Sequence, residues 1–339
     1  PPEPFEGKLS TILGYQGIGG GSARSNVLWD PESGLFGFSC GRSIVFEDLV
    51  PQTEDMNTRR QTHIFGPERE IQRLCISMHA TYMAAAEMPE GRTGTVSVWN
   101  CDGAFLNKFR HSHGALQDLQ FASDDTLLIG VGSLMSPVIT IWQVTDGTIL
   151  SSYCCSPGAP LVSAIVPIYD ENRVHFLSVG RRAVQEWHLV EDENMSSILT
   201  CHSVFELPGI DVGVGRTEYF TCLSAKPDGD DHWAVAVGGH FGTVWHFSSS
   251  TYSAGAGSRM KFSLNGMWSA LEGSVEYLAV QPSTDHVIVA GMSRNVAIWS
   301  AGPDINPTLT TSICLDGRVV SMTWDDTVKD AIVGTDVGS

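Results

Sequence analysis

Several short stretches of this chain have residue types and spacings that chemistry uses. Gly37-Phe38-Ser39-Cys40-Gly41 satisfies G-x-S-x-G, in which a sharp strand-to-helix turn presents a serine hydroxyl as a nucleophile. Gly17-Ile18-Gly19-Gly20-Gly21 has the glycine density of a loop whose backbone N–H groups cradle phosphate. His111-x-His113, and separately His240 and His246, offer imidazole nitrogens to a metal ion. Asp228-Gly229-Asp230-Asp231 offers carboxylates of the kind that bind calcium.

The surroundings deny each stretch its mechanism. Ser39 ends one strand and leads into another, with no helix to hold it in an exposed, strained turn. The glycines run into a strand and lack the Lys-Ser/Thr pair and βαβ setting of a phosphate loop. His111 and His113 fall between repeats, with no third ligand at a recognisable spacing. The acidic run has no closing glutamate and reads as a solvated hairpin tip. The sequence therefore predicts no catalytic residue, no metal and no cofactor, with a hydrolase built on Ser39 as an alternative.

Basic residues are placed more informatively. Arg42, Arg92, Arg181, Arg182 and Arg294 fall in turns between the second and third strands of a repeating unit, and His240-Phe241 fills the same place in another copy. These five arginines belong to a set of only 20 lysines and arginines in a chain of net charge −18. A guanidinium pairs carboxylate or phosphate bidentately, so arginines gathered on one face predict recognition of an acidic or phosphorylated segment. The alternative is that they only top polar turns and pair with local acids such as Glu90 or Asp336.

The elements that position these side chains follow from a repeat. Strands ending in tryptophan recur as Thr95–Trp99, Val138–Trp142, Ala183–Trp187, Gly242–Trp245 and Asn295–Trp299, with Arg42–Phe46 as an earlier relative carrying Phe. Successive aromatic anchors are about 43 to 58 residues apart. Each is preceded by two alternating strands joined through an Asp-rich turn, as in 116–121 and 127–131 before Trp142. No long stretch has a 3.6-residue apolar period, so the chain reads as all-β. Seven inner strands are expected, starting near Ser25, Ile71, Leu116, Leu161, Glu218, Val275 and Arg318. The last unit looks incomplete, and Leu9–Leu13 is expected to latch it from the other end of the chain. Residues 1–339 thus read as one domain, with a latch strand and Gly-rich connection over 8–22 and a flexible insertion over 248–258.

Composition narrows the partner class. An excess of 38 acidic over 20 basic residues repels phosphate backbones and anionic lipid, so neither nucleic acid nor membrane is expected as a partner. The longest apolar stretch, 161–169, is far too short to span a bilayer, and the start carries no apolar signal. The eight cysteines show no C-x-x-C spacing and read as free thiols in a reducing compartment.

The repeat resembles WD-repeat β-propellers along nearly the whole chain, which implies a seven-bladed ring. It departs from their usual signature, because Asn100, Gln143, His188, His246 or Ser300 follows each tryptophan, never Asp. The family's Asp-His-Ser/Thr-Trp hydrogen-bond network is therefore expected to be absent or reduced. The segments Ile12–Gly17, Arg24–Trp29, Pro31–Gly34, Cys40-Gly41 and Ile44–Leu49 resemble the first blade of the large tandem WD-repeat proteins of centrioles and cilia, related to the echinoderm microtubule-associated-protein-like family. That resemblance implies a non-catalytic scaffold and one part of a longer protein, sited in the cytoplasm at the cytoskeleton (centriole, basal body or cilium). Tubulin, centriolar or ciliary scaffold proteins, or an adjacent propeller in the same chain are the partners it implies. The alternative is an adaptor for an acidic or phosphorylated peptide away from the cytoskeleton.

Overall fold

A computed structural model of the chain describes residues 26–30, 34–48, 61–111, 114–132, 138–154, 162–168, 174–180, 182–191, 196–207, 218–229, 232–254, 257–281, 286–291, 293–301, 306–324 and 331–337. These residues form strands and no helix, and six sheets have four antiparallel strands in sequence order. Blade 1 holds β1 (Val27–Asp30), β2 (Leu35–Cys40), β3 (Ser43–Asp48) and β4 (Gln61–Phe65). Blade 2 holds β5 (Ile71–Ile76), β6 (Tyr82–Glu87), β7 (Gly94–Asn100) and β8 (Phe105–His111). Blade 3 holds β9 (Leu116–Phe121), β10 (Leu127–Gly132), β11 (Val138–Gln143) and β12 (Ile149–Cys154). Blade 4 holds β13 (Ala164–Ile168), β14 (His175–Gly180), β15 (Ala183–Glu191) and β16 (Ser197–Glu206). Blade 5 holds β17 (Phe220–Pro227), β18 (His232–Gly239), β19 (Thr243–Ala254) and β20 (Gly257–Ser269). Blade 6 holds β21 (Val275–Gln281), β22 (His286–Gly291), β23 (Asn295–Ser300) and β24 (Thr308–Cys314).

The expectation of seven blades is corrected to six complete ones. The seventh inner strand, β25 (Val319–Trp324), pairs with β26 (Ala331–Thr335) alone, and among the described residues no third or fourth strand joins them. Even so, β25 packs against β21 on one side and β1 on the other, so the first strands of all seven sheets form a continuous ring. They enclose a central cavity of about 430 Å³. The latch expected at Leu9–Leu13, the Gly17–Gly21 connection and the loop at 50–60 lie outside the described residues.

The core lies in the seams between blades. Each of seven apolar clusters draws on two neighbouring sheets, such as blades 2 and 3 around Leu119, Leu128 and Val98. Strand alternation explains this, because successive side chains face opposite neighbours. Val96 and Val98 face blade 3, while Trp99 faces blade 1. Ile139 and Ile141 face blade 4, while Trp142 faces blade 2. Trp187, Trp245 and Trp299 likewise enter the seam with the preceding blade. Burying an indole of this kind is worth about 4 to 6 kcal/mol, which is why the anchor recurs. Gly130 is small for the same reason, since a Cβ there would lie 2.4 Å from the Trp142 ring.

Phe46 is not the relative of these tryptophans that its position in the sequence suggests. It faces blade 2 with Ile44, in the phase of Val98 and Ile141, so the anchor place in blade 1 belongs to Glu47. The expected loss of the side-chain network is partial. Trp187 Nε1 donates to Ser178 Oγ at 2.8 Å, whereas Trp142 and Trp299 have no such acceptor among the described residues.

Of residues 248–258, expected as a flexible insertion, the described 248–254 and 257–258 pair within a long hairpin instead. The β19–β20 ladder runs from Thr243↔Ser269 to Ala254↔Gly257. A ladder uses backbone groups whatever the side chains, and β20 carries Met260 and Phe262 into the seam with blade 4. That packing fixes a segment whose serines and glycines read as loose.

Candidate protein-interaction face

In a sheet of four antiparallel strands, the turn between strands 2 and 3 shares its face with the link to the next blade. The backbone shows this directly. Gly114 N–H, on the link out of blade 2, donates to Arg92 O at 2.8 Å, and Leu315 N–H, out of blade 6, donates to Arg294 O at 2.8 Å. Arg42 Nε reaches Pro67 O at 3.5 Å, and Leu207 N–H donates to Arg182 O at 2.9 Å. His240 N–H donates to Tyr219 O at 3.0 Å, on the link into blade 5. Arg42, Arg92, Arg182, His240, Phe241 and Arg294 therefore occupy one face of the ring. Arg181 lies outside the described residues.

The six are not equivalent. Arg42, Arg92 and Arg294 are exposed, and no ion pair among the described residues includes them. Glu90, a local acid that could have neutralised Arg92, pairs with Arg69 instead. Arg182 is half-buried and its guanidinium donates to Leu207 O at 3.2 Å, so it braces the link to blade 5. Arg318, exposed just before β25, joins these three arginines outside any ion pair among the described residues; its backbone N–H donates to Asp336 Oδ1 at 2.8 Å. Arg294, Arg318, Arg42 and Arg92 thus follow one another around an arc from blade 6, across the two-stranded sheet, to blade 2.

Beside blade 5 the face changes character. Tyr219 and His240 stack with ring centroids 4.4 Å apart, and the Tyr219 hydroxyl lies 2.8 Å from His240 Nδ1. Phe241 meets His240 edge-on at 5.1 Å, and its N–H donates to Glu218 Oε1 at 3.0 Å. Tyr219 and Phe241 keep 38% and 39% of their surface exposed. Burial pushes the Tyr219 hydroxyl upward, with Glu276 and Glu218 adding to it. Burial also raises the Glu276 carboxyl, against the lowering influence of Ser274 and His240 nearby. Tyr219 was absent from the sequence-based site because it precedes an inner strand; only its stacking on His240 shows that it belongs here.

Of the stretches with catalytic or metal-binding spacing, the structure buries Ser39, His111 and His246. Ser39 is 2% exposed within β2, where its N–H donates to Asn26 O at 3.0 Å. His111 is buried at the end of β8 against Trp142, with ring centroids 6.0 Å apart. His113 lies outside the described residues. His246 is buried within β19, while His240 stands on the exposed turn.

No protein-family model matches the chain. Along 98% of its length it is 25% identical to WD repeat-containing protein 90 of Mus musculus, and along 100% it is 27% identical to that of Homo sapiens and 22% to that of Xenopus tropicalis. The chain spans only 16% to 18% of the length of these relatives. Its fold matches the crystal structure of the RRP9 WD40 repeats with a TM-score of 0.61, at 15% identity over 94% of this chain and 88% of that one. The structure of U3-55K matches with a TM-score of 0.62, at 14% identity over 94% and 90% of the two chains. The chain has the fold of a WD40-repeat β-propeller. On the face just described the loops of this fold bring an arc of arginines next to an exposed aromatic group.

Proposed function

We propose that this WD-repeat propeller is a non-catalytic protein-interaction module that docks an acidic segment of a partner on its arginine-bearing face. The observation that carries the reading is the arc of Arg294, Arg42 and Arg92, exposed and outside any ion pair among the described residues of a strongly acidic chain. Arginine and tyrosine are the side chains most favoured as interface anchors, and both occur on this face. A microtubule-based structure, a centriole or cilium, is the proposed setting. Its support is the first-blade resemblance, together with the match to a larger WD-repeat protein over the full chain. Acidic tubulin surfaces, other scaffold proteins and a neighbouring propeller are the proposed partners.

Microtubule co-sedimentation at low and physiological salt tests this reading. The chain is expected to pellet with microtubules, less at higher salt, and Arg42→Glu/Arg92→Glu/Arg294→Glu is expected to weaken binding by about tenfold or more. Among the described residues the guanidinium groups of Arg92 and Arg294 hold no link to the next blade, and Arg42 makes only its 3.5 Å contact with Pro67 O, longer than the 3.2 Å bond by which Arg182 braces Leu207. Binding that ignores both salt and the triple reversal overturns the arginine face. The absence of microtubule binding, with salt-sensitive capture of an acidic or phosphorylated peptide, moves the module away from the cytoskeleton.

A further inference from the structure

One seam of the ring is built from residue types the other seams avoid. On the third strands, the side chain just before each tryptophan faces the following blade, and in four blades it is Val98, Ile141, Val244 or Ile298. In blade 4 that place is held by Glu186, which is 1% exposed. His188, two residues on, shares its face of β15, and the ladder sets His175 of β14 directly opposite His188. All three side chains are buried between blades 4 and 5.

Their geometry is that of converging ligands. Glu186 Oε1 lies 3.0 Å from His175 Nε2 and 3.3 Å from His188 Nε2. Yet neither Nε2 makes a hydrogen bond, because neither ring directs an N–H at that oxygen. The two imidazoles stack with centroids 4.3 Å apart and planes 24° from parallel, turning both nitrogens toward the same carboxylate. Adjacent ligand atoms of a tetrahedral zinc ion, with bonds of about 2.0 to 2.1 Å, are separated by about 3.3 Å, close to both spacings seen here. Glu186 Oε1 also accepts the Met260 N–H at 2.9 Å, an outer contact that orients the carboxylate and ties it to blade 5.

We infer that His175, Glu186 and His188 form a zinc-binding site that clamps blade 4 to blade 5. A carboxylate buried in an apolar seam is costly unless it is neutralised. Two imidazoles crowding one oxygen offset that cost only when protonated, whereas a divalent cation removes it with both rings neutral and takes up both nitrogen lone pairs. Two imidazoles and one carboxylate are the donor set of zinc and its neighbours in the transition series. His202 stands opposite Glu186 in the β15–β16 ladder, on the same face. A His202→Ala variant therefore shows whether the fourth ligand is protein or solvent.

The test uses the untagged 339-residue chain, stripped with a chelator, incubated with Zn²⁺ and desalted. One zinc per chain by elemental analysis is expected, together with a rise in melting temperature on zinc addition. His188→Ala and Glu186→Gln are expected to lose both. If these variants do not fold, Co²⁺ bound to the wild-type chain gives the readout: intense visible d–d bands of a four- or five-coordinate ion support the site. Wild-type chain that holds no more zinc than His188→Ala, or Co²⁺ that keeps the weak spectrum of the hydrated ion, overturns it.

Discussion

Glu276 stands beside the aromatic group of the arginine-bearing face and lines the central cavity. Burial holds its carboxyl above the usual glutamate value of 4.5, outweighing the lowering influence of Ser274 and His240. Between 4.5 and that raised value the folded chain keeps a proton which the unfolded chain has released, so this residue makes stability fall as pH rises through the window. Glu276→Gln is therefore expected to raise the melting temperature at pH 7, with the advantage shrinking as the pH falls through this window and gone below 4.5. Melting curves across pH check this; a difference that stays constant with pH would contradict it. Single residues were also where sequence reading was least secure. Tryptophan anchors were legible because an indole is large and recurs, but Phe46 sat one residue out of phase with them, and a one-residue change sends a side chain to the opposite seam. His175, Glu186 and His188 escaped notice because two of them lie on one strand and the third on its neighbour, a proximity that only the ladder creates.

At the scale of elements, the inner three strands of each blade were legible and the outermost was not. Inner and middle strands are buried on both faces and carry dense apolar runs, such as Leu127–Gly132 in β10. Outer strands carry little such signal: every residue of β24 is exposed, and β12 buries none of its residues fully. Amphipathic alternation cannot mark a strand that has no buried face. The hairpin of β19 and β20 was misread for a related reason, since its pairing rests on backbone bonds while only Met260, Phe262 and a few neighbours report the burial. Backbone amides over 248–253 and 258–264 are expected to exchange with deuterium far more slowly than an unstructured chain. Exchange there at the rate of a free peptide would return the segment to a loose insertion.

For the whole molecule, closure depends on its smallest sheet. Tyr277 of β21 donates its hydroxyl to Val320 O of β25 at 2.5 Å, across the seam where a full blade meets the two-stranded one. Tyr277→Phe keeps the ring and deletes this bond, and is expected to lower stability by about 0.5 to 1.5 kcal/mol. Thermal unfolding measures the loss, and an unchanged midpoint would show that the seam closes without it. Seven inner strands and an incomplete last unit were both legible by repetition, and the seventh sheet has two strands among the described residues.

Because the core is divided among seams, each seam sets the angle between two sheets, and these angles must add up to one full turn. Side-chain volume is therefore a shared quantity around the circumference. Blade 2 carries Ala84, Ala85 and Ala86 in the middle of β6, all fully buried, where bulkier residues would widen its seams with both neighbours. The indoles of Trp99 and Trp142 occupy the room those alanines leave. A misfit introduced at any blade has to be absorbed along the whole hoop, and the two-stranded sheet, with least pairing to resist it, is where the hoop would give.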